Sequence, residues 1–256
     1  MKTGIFFDVD GTLRDIDTSR IPGSTKAALR MLRAAGFYLG IATGRTMGEL
    51  SDDIVELIDW DAYVCANGQV VYDKNKEPIF QRVFTDEIIA GCLNAAAENN
   101  NPLMITTDEE QCFITATPNT SLFTTYRDFD LPIPEVREYS GESAIAIMVF
   151  PNRDEDYEAY SIIPGVRLSS SGSTSCDILY DDISKYDGAL KVMDHCGLEK
   201  YIAFGDSMND FEIMLYADIS VAMGGSPAGI AGIATCLADT VLNDGIYSAC
   251  KELRLL

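Results

Sequence analysis

A chain of 256 residues, 47 % hydrophobic and 23 % charged, carries enough apolar material for one large domain or two modest ones and too much to stay disordered. Its 40 acidic against 19 basic residues give a net charge of −21, which excludes non-specific binding to a nucleic-acid backbone and disfavours an anionic membrane surface. A cleft that takes an anionic small molecule therefore needs local cations, which screening over ~8 Å allows.

The N-terminus, MKTGIFFDVDGT, has an apolar run of three before the acids, too short for a secretory signal. No later stretch reaches the ~18 apolar residues that span a bilayer, so a cytoplasmic protein is expected. IFFDV (5–9) reads as a buried strand. STKAALRMLRAA (24–35) has helical spacing with a Ser/Thr cap and a stop at Gly36. FYLGIAT (37–43) is the next strand, TMGELSDDIVELI (46–58) a helix, and AYVCANG (62–68) a strand with a turn. Such alternation of strand and helix signals a parallel sheet flanked by helices.

From about residue 79 the rhythm loosens. EIIAGCLNAAAENN (87–100) is helical, PLMITT and CFITAT are strand-like, LPIPEV (131–136) is a Pro-rich loop, AIAIMVF is a strand, RDEDYEAYSII is helical, and the serine loop 169–175 precedes CDILY. The β/α rhythm then returns with a helix DGALKVMDHCG (187–197), a strand YIAFGD (201–206), a helix SMNDFEIMLYA (207–217) and strands ISVAMG (219–224) and DTVL (239–242). The expectation is a discontinuous α/β domain, residues 1–79 and 184–256, with an α+β module, 80–183, inserted into it. Seven scattered cysteines without C-x-x-C read as reduced thiols, mostly core filler. The single histidine, His195, excludes histidine metal clusters and suits a helix C-terminus.

In an open parallel sheet, ligands bind at the carboxyl ends of the strands. Those ends offer Asp8 and Asp10, then Thr43, Gly44 and Arg45, then Asn67-Gly68, and finally Asp206 with Asn209 and Asp210 one turn on. No GxGxxG follows the first strand, so a dinucleotide fold is unsupported. Several carboxylates in one crevice need a cation, and an oxygen-only set favours Mg²⁺ over Zn²⁺. Residues i and i+2 of an extended segment point the same way. Asp8 can then attack phosphorus as a nucleophile while Asp10 donates a proton to the leaving oxygen and later takes one from water. Half-protonation of Asp10 at pH 7 requires a pKa ~3 above the reference value, about 4 kcal/mol. Neighbouring anions push that way and a metal pushes back. Backbone N–H groups around Val9 to Gly11 and at Thr43-Gly44, with the Thr43 hydroxyl, offer donors to a phosphate. Lys185, just before a helix, offers the facing cation.

Together D-x-D-G-T after an apolar strand, ATGR closing the second strand, a lysine before a helix, and AFGDSMND followed by VAMG resemble the haloacid dehalogenase (HAD) superfamily of phosphohydrolases. More narrowly, the chain resembles the Cof-type subfamily, with a Rossmann-like core and a C2B cap inserted after the third strand. That resemblance implies Asp8 as nucleophile, Asp10 as general acid/base, Thr43, Gly44 and Lys185 on the phosphate, and Asp8, the Asp10 carbonyl and Asp206 on Mg²⁺. It places Asn209 against phosphate and Asp210 in support of the metal or the lysine. Arg45, apart from the resemblance, reads as a structural partner for an acid. Two positions depart from the pattern: Tyr186 stands where glycine often follows the lysine, and VAMGGS replaces VAMGNA.

The expected function is a Mg²⁺-dependent phosphatase of small phosphorylated metabolites, sugar phosphates among them. Two alternatives stand beside it. A phosphomutase of the same fold would need a cationic cap site, and Arg82, Arg127, Arg137, Arg153 and Arg167 are not clustered in sequence. A non-catalytic binding module would normally lack one of Asp8, Asp10, Lys185 and Asp206. The oligomeric state is left open.

Overall fold

The computed structural model describes residues 2–128, 132–170 and 174–256. In chain order the elements are β1 (Thr3–Phe7), α1 (Gly23–Ala34), β2 (Tyr38–Ala42), α2 (Asp52–Val55), β3 (Ala62–Cys65), β4 (Val70–Asp73) and β5 (Pro78–Gln81). There follow α3 (Asp86–Asn99), β6 (Leu103–Thr107), β7 (Cys112–Ile114), α4 (Thr120–Asp128), β8 (Glu135–Val136), β9 (Ala144–Val149), α5 (Glu158–Ser161), β10 (Val166–Ser170) and β11 (Cys176–Tyr180). The chain closes with α6 (Lys185–Cys196), β12 (Lys200–Gly205), α7 (Phe211–Leu215), β13 (Ile219–Ala222), α8 (Ala228–Ala231), β14 (Cys236–Leu237) and α9 (Gly245–Glu252). Two compact units result, Met1–Phe80 with Ser184–Leu256, and Gln81–Ile183.

The first unit is an α/β fold on an eight-stranded sheet of order β14-β13-β12-β1-β2-β3-β4-β5. The pairings from β14 through β3 are parallel, and β4 turns back antiparallel on β3. Ile5, Phe6 and Phe7 of β1 are all buried, the continuous apolar run expected of a parallel strand covered on both faces. Phe6 joins Ala42, Val64, Ala203 and Ala222 under Ala189 and Val192 of α6, Ile213 and Met214 of α7 and Ile230 of α8. Phe7 stacks on Phe204 at 4.8 Å and meets the edge of Trp60. The chain leaves β1 toward β2 on one side and later fills β12, β13 and β14 on the other. The carboxyl end of β1 is therefore the point where strand order reverses, the place where such sheets open a crevice.

The second unit is α+β, with a six-stranded sheet of order β10-β11-β9-β6-β7-β8. Among the described residues its pairings are antiparallel except β7 with β8. Residues 171–173 of the serine loop and Leu131 of the Pro-rich strip lie outside the described residues. The remainder of that strip is more than a loop, since Glu135–Val136 pairs with Phe113–Ile114.

Four local expectations are corrected. The helix over 46–58 is broken into a 3₁₀ turn, Met47–Glu49, and the short α2. Thr46 closes the turn on Glu49, and the buried Leu50 is extended before Ser51 restarts the helix. No Ser/Thr side chain caps α1; Pro22 holds that position and Ser24 lies inside the helix. The strand over 239–242 is a turn, because the Asp239 carboxylate accepts the Thr240 N–H at 2.7 Å and 241–243 closes a 3₁₀ turn; the edge strand is Cys236–Leu237. Lys185 does not precede its helix but opens it, because Ser184 caps α6 through its N–H and hydroxyl on Asp187, at 2.9 and 2.7 Å. His195 lies in the last turn of α6, as expected, and among the described residues the seven cysteines form no disulfide, with five of them buried. Among the described residues no helix is long and apolar enough to cross a membrane.

Candidate active site

Asp8 follows β1 directly, and its N–H donates to the Phe204 carbonyl at 3.0 Å, continuing the ladder with β12. The next residues knot tightly. The N–H groups of Thr12, Leu13 and Arg14 all donate to the Val9 carbonyl at 2.9–3.3 Å. Val9 itself is fully buried, so only its backbone can face a ligand. Gly11 has φ +87°, and a Cβ there would lie 2.5 Å from Asp206 Oδ2, so glycine is required both by conformation and by the approach of the β12 turn.

The parallel neighbour β12 delivers Asp206 beside Asp8. Thr12 Oγ1 donates to Asp206 Oδ1 at 3.2 Å, and the Asp8 and Asp206 carboxyls lie within hydrogen-bonding reach of each other. Asp210 completes the group from the next turn. Its Oδ2 accepts the Asp206 and Ser207 N–H groups at 3.0 and 3.1 Å, which splits the expected helix 207–217 into a 3₁₀ turn and α7. Lys185 Nζ donates to Asp8 Oδ1 and Asp210 Oδ1, both at 2.7 Å. Lys185 is 0 %, Asp210 1 % and Asp8 6 % exposed, so this is a buried ion cluster. The first turn of α6 reaches it because Gly188 lies against β3. A Cβ at Gly188 would collide with Val64 and fall 3.0 Å from the Gly68 Cα.

Three carboxylates face one ammonium, and the electrostatics follow from that deficit. Burial pushes Asp8 well above the ordinary carboxylate range, Asp210 and Asp206 add to it, and Lys185 pulls the other way. Burial likewise raises Asp206 to about 6, with Asp210 adding and Lys185 opposing. Burial alone would lower Lys185, but Asp210 and Asp8 outweigh it and hold the ammonium protonated. Two formal negative charges remain uncompensated. Asp8, Asp206 and Asp210 each bring an oxygen within 4.8 Å of the others. A divalent cation with hard oxygen ligands fits both the charge and the donor set.

Asp10 stands apart from this group. Its carboxylate does not join the acidic cluster with Asp8, as two side chains pointing the same way would; it turns to two guanidinium groups. Arg14 donates from Nε and Nη2 at 3.3 and 2.8 Å, and Arg45 from Nε and Nη2 at 2.7 and 3.2 Å. Burial would raise the Asp10 carboxyl, but Arg45 and then Arg14 hold it below its ordinary value. Of Asp10, only the backbone carbonyl is left as a candidate metal ligand.

The turn after β2 lies alongside. Thr43 is buried and its hydroxyl accepts the Arg45 N–H at 3.2 Å. A Cβ on Gly44 would fall 3.2 Å from Asn67 Nδ2 and 3.6 Å from Asn209 Nδ2. The structure thus gathers Asp8, Asp206, Asp210 and Lys185 in one cluster, and joins Asp10 to the Thr43-Gly44-Arg45 turn and that turn to Asn209. Sequence reasoning missed Arg14 and Thr12. The threonine of DGT was a signal within the motif, whereas Arg14 returns to Asp10 only because the 9–14 knot folds it back.

A family model described as haloacid dehalogenase-like hydrolase matches residues 5–249. The Bacillus subtilis protein named "Putative phosphatase YkrA" is 30 % identical over 98 % of both chains. A second B. subtilis protein, 5-amino-6-(5-phospho-D-ribitylamino)uracil phosphatase YcsE, is 24 % identical over 97 % of this chain and 94 % of its own. The solved structure of the HAD subclass IIB sugar phosphatase BT4131 covers 100 % of both chains with a TM-score of 0.91 and 25 % identity.

Proposed function

The chain belongs to the haloacid dehalogenase-like hydrolases and is a phosphatase, and from that premise we propose that it hydrolyses small phosphorylated metabolites through an aspartyl-phosphate on Asp8, with Mg²⁺ bound. The observation that carries this reading is Lys185 Nζ bridging Asp8 and Asp210 beside Asp206. A buried carboxylate with that much negative charge around it is poorly placed for structure and well placed for a cation and a phosphoryl group.

In the first half-reaction an Asp8 oxygen bonds to phosphorus as the bond to the leaving oxygen breaks, and Asp10 gives that oxygen a proton. In the second, water attacks the phosphoryl group, Asp10 takes the water's proton, and the Asp8–phosphorus bond breaks. Held by Arg14 and Arg45, Asp10 is in the ionised form that accepts a proton. Donation requires its carboxyl to leave at least one guanidinium. Lys185, the Thr43 hydroxyl and the N–H groups of Val9 and Gly44 face the phosphate, with Asn209 beside them. Asp8, Asp206 and the Asp10 carbonyl would hold the Mg²⁺, while Asp210 fixes the Asp206 turn and the lysine. The metal supplies charge neutralisation for the phosphoryl oxygens.

The 81–183 unit is proposed as the cap that selects the leaving group. Its substrate class is taken as phosphates on polyhydroxylated carbon chains. Two relatives support this: one is named a sugar phosphatase, and the other acts on a phosphoribityl compound. The test is inorganic phosphate release from a panel of sugar and polyol phosphates, with Mg²⁺ and with chelator, for wild type and Asp8→Asn. Turnover should require the metal and fall roughly 10⁴-fold or more in the variant, which has no nucleophilic oxygen. A fully active Asp8→Asn would overturn the covalent route, and a wild type silent on every ester would overturn hydrolysis.

A further inference from the structure

The third strand contributes to this site through a turn that the mechanism above does not use. Residues 66, 67 and 68 all have positive φ, +48°, +53° and +101°. For Ala66 this is a strained conformation; asparagine and glycine tolerate it better. The turn is buried, with Asn67 1 % exposed. Strain in a buried turn persists only where surrounding contacts hold it, and here they lead to the β2 turn. Ala66 N–H donates to the Arg45 carbonyl at 2.8 Å and Asn67 N–H to the Thr43 carbonyl at 3.0 Å. In a trans peptide the C=O and the following N–H point in opposite directions. Drawing the Thr43 carbonyl onto Asn67 therefore directs the Gly44 N–H away from the 66–68 turn.

The Asn67 side chain reaches the other flank. Its Oδ1 accepts Asn209 Nδ2 at 3.0 Å. The far end of the same carboxamide, Asn209 Oδ1, accepts Ser207 Oγ at 3.3 Å. With its oxygen facing Ser207 and one N–H on Asn67, Asn209 has one amide N–H left to offer.

We propose that Asn67 is a positioning residue for phosphoryl transfer, its backbone aiming the Gly44 N–H and its buried carboxamide setting the rotamer of Asn209. This rests on the phosphatase reading, because Gly44 and Asn209 are donors to the phosphate only in that reading. It extends the set of functional strand ends from three to four and gives the strained turn a reason.

The test uses Asn67→Gly, which keeps the left-handed backbone and removes the carboxamide, together with Asn209→Ala and the double variant. In Asn67→Gly, kcat/KM should fall about tenfold, the size of one well-placed hydrogen bond, and competitive inhibition by inorganic phosphate should weaken alongside it. In the Asn209→Ala background the same change should cost less than about twofold in kcat/KM, because the side chain acts through Asn209. Multiplicative losses, or an unchanged kcat/KM in Asn67→Gly, overturn the proposal. A second readout needs no turnover. The Asn209 side-chain amide resonances, assigned by their loss in Asn209→Ala, should shift in Asn67→Gly while the rest of the spectrum stays folded. If they do not move, the positioning role is wrong even where the enzyme is active. If they move in a chain that releases no phosphate, the contact stands and the phosphatase reading has failed.

Discussion

Asp156 in the 81–183 unit and Asp8 in the other are both buried, 2 % and 6 % exposed, yet their surroundings differ in kind. The Asp156 carboxylate accepts the backbone N–H groups of Asn152 and Arg153, both at 3.2 Å, and the Arg153 guanidinium at 2.9 and 3.2 Å. Burial would raise this carboxyl, but Arg153 and the backbone donors hold it below the ordinary value. Asp8 shares one ammonium with Asp210 and lies beside Asp206, and burial leaves its carboxyl raised. Folding answers the charge of Asp156 completely. It leaves Asp8 in a cluster that is short of positive charge. A buried acid whose donors are all local is structural; one left in deficit beside other acids is a site that expects a ligand.

The sharpest way to break this contrast is to remove one charge from each site. Lys185→Met leaves Asp8 and Asp210 buried without a cation, and should cost about 3–5 kcal/mol of stability at neutral pH as well as phosphate release. Asp156→Asn removes charge-assisted bonds in the other unit and should cost about 1–2 kcal/mol, with phosphate release per folded molecule unchanged. Denaturant midpoints and turnover on the same samples decide it. A Lys185→Met chain as stable as wild type would mean that the cluster carries no buried charge deficit.

How much of this was legible in the sequence follows the same division. D-x-D-G-T, ATGR and GDSMND announce themselves because a parallel sheet puts residues far apart in the chain onto adjacent strand ends, and apolar strands with acids after them are rare. The α/β and α+β units follow from strand and helix rhythm. Side-chain direction was not legible. Asp8 and Asp10, two residues apart, were expected to point the same way, yet one meets a lysine and the other two arginines, because the knot at Val9 ends the extended geometry. The start of α6 was hidden for a smaller reason: SKYD is a capping box with Asp in place of Glu, so the helix begins two residues before its apolar pattern does. In the second unit β8 is masked by the two prolines before it. The turn after β3 was expected from Asn67-Gly68, but not that its left-handed backbone begins at Ala66, since alanine carries no signal for it.

Metal and proton compete for the deficient cluster, and that gives a pH test of intermediate size. Asp206 is raised to about 6 and Asp8 is raised as well. A carboxyl with a raised pKa favours the folded state most below its ordinary value near 4, and that contribution is lost as pH rises through the raised value. Without metal, stability from these groups should fall between about pH 4 and 6. Mg²⁺ should restore it above that window and do little below. At pH 7.5, Mg²⁺ at a hundred times its Kd should raise Tm by roughly 5–10 °C, with a clearly smaller rise at pH 5 and none in Asp206→Asn. An equal rise at both values would mean that Mg²⁺ binds somewhere other than this cluster.

The smallest effect belongs to Asp10, where the charge is answered twice over. Arg45 and Arg14 both hold its carboxyl below the ordinary range. Such a group stabilises the fold above the ordinary carboxylate pKa, and the contribution disappears as pH falls through the lowered one. Arg45→Met should therefore cost only about 1 kcal/mol at pH 7, since Arg14 keeps two of the four hydrogen bonds. The difference from wild type should close on acidification, once Asp10 is protonated in both proteins. The same substitution frees the carboxyl to pick up a proton, so the ratio of variant to wild-type turnover should depend on which half-reaction is slow. A slow first step gains from a looser, more basic Asp10; a slow second step loses the ionised base. Burst kinetics on one good ester separate the two. A burst that appears in Arg45→Met and not in wild type would show that the two arginines hold Asp10 ready for water rather than for the leaving group.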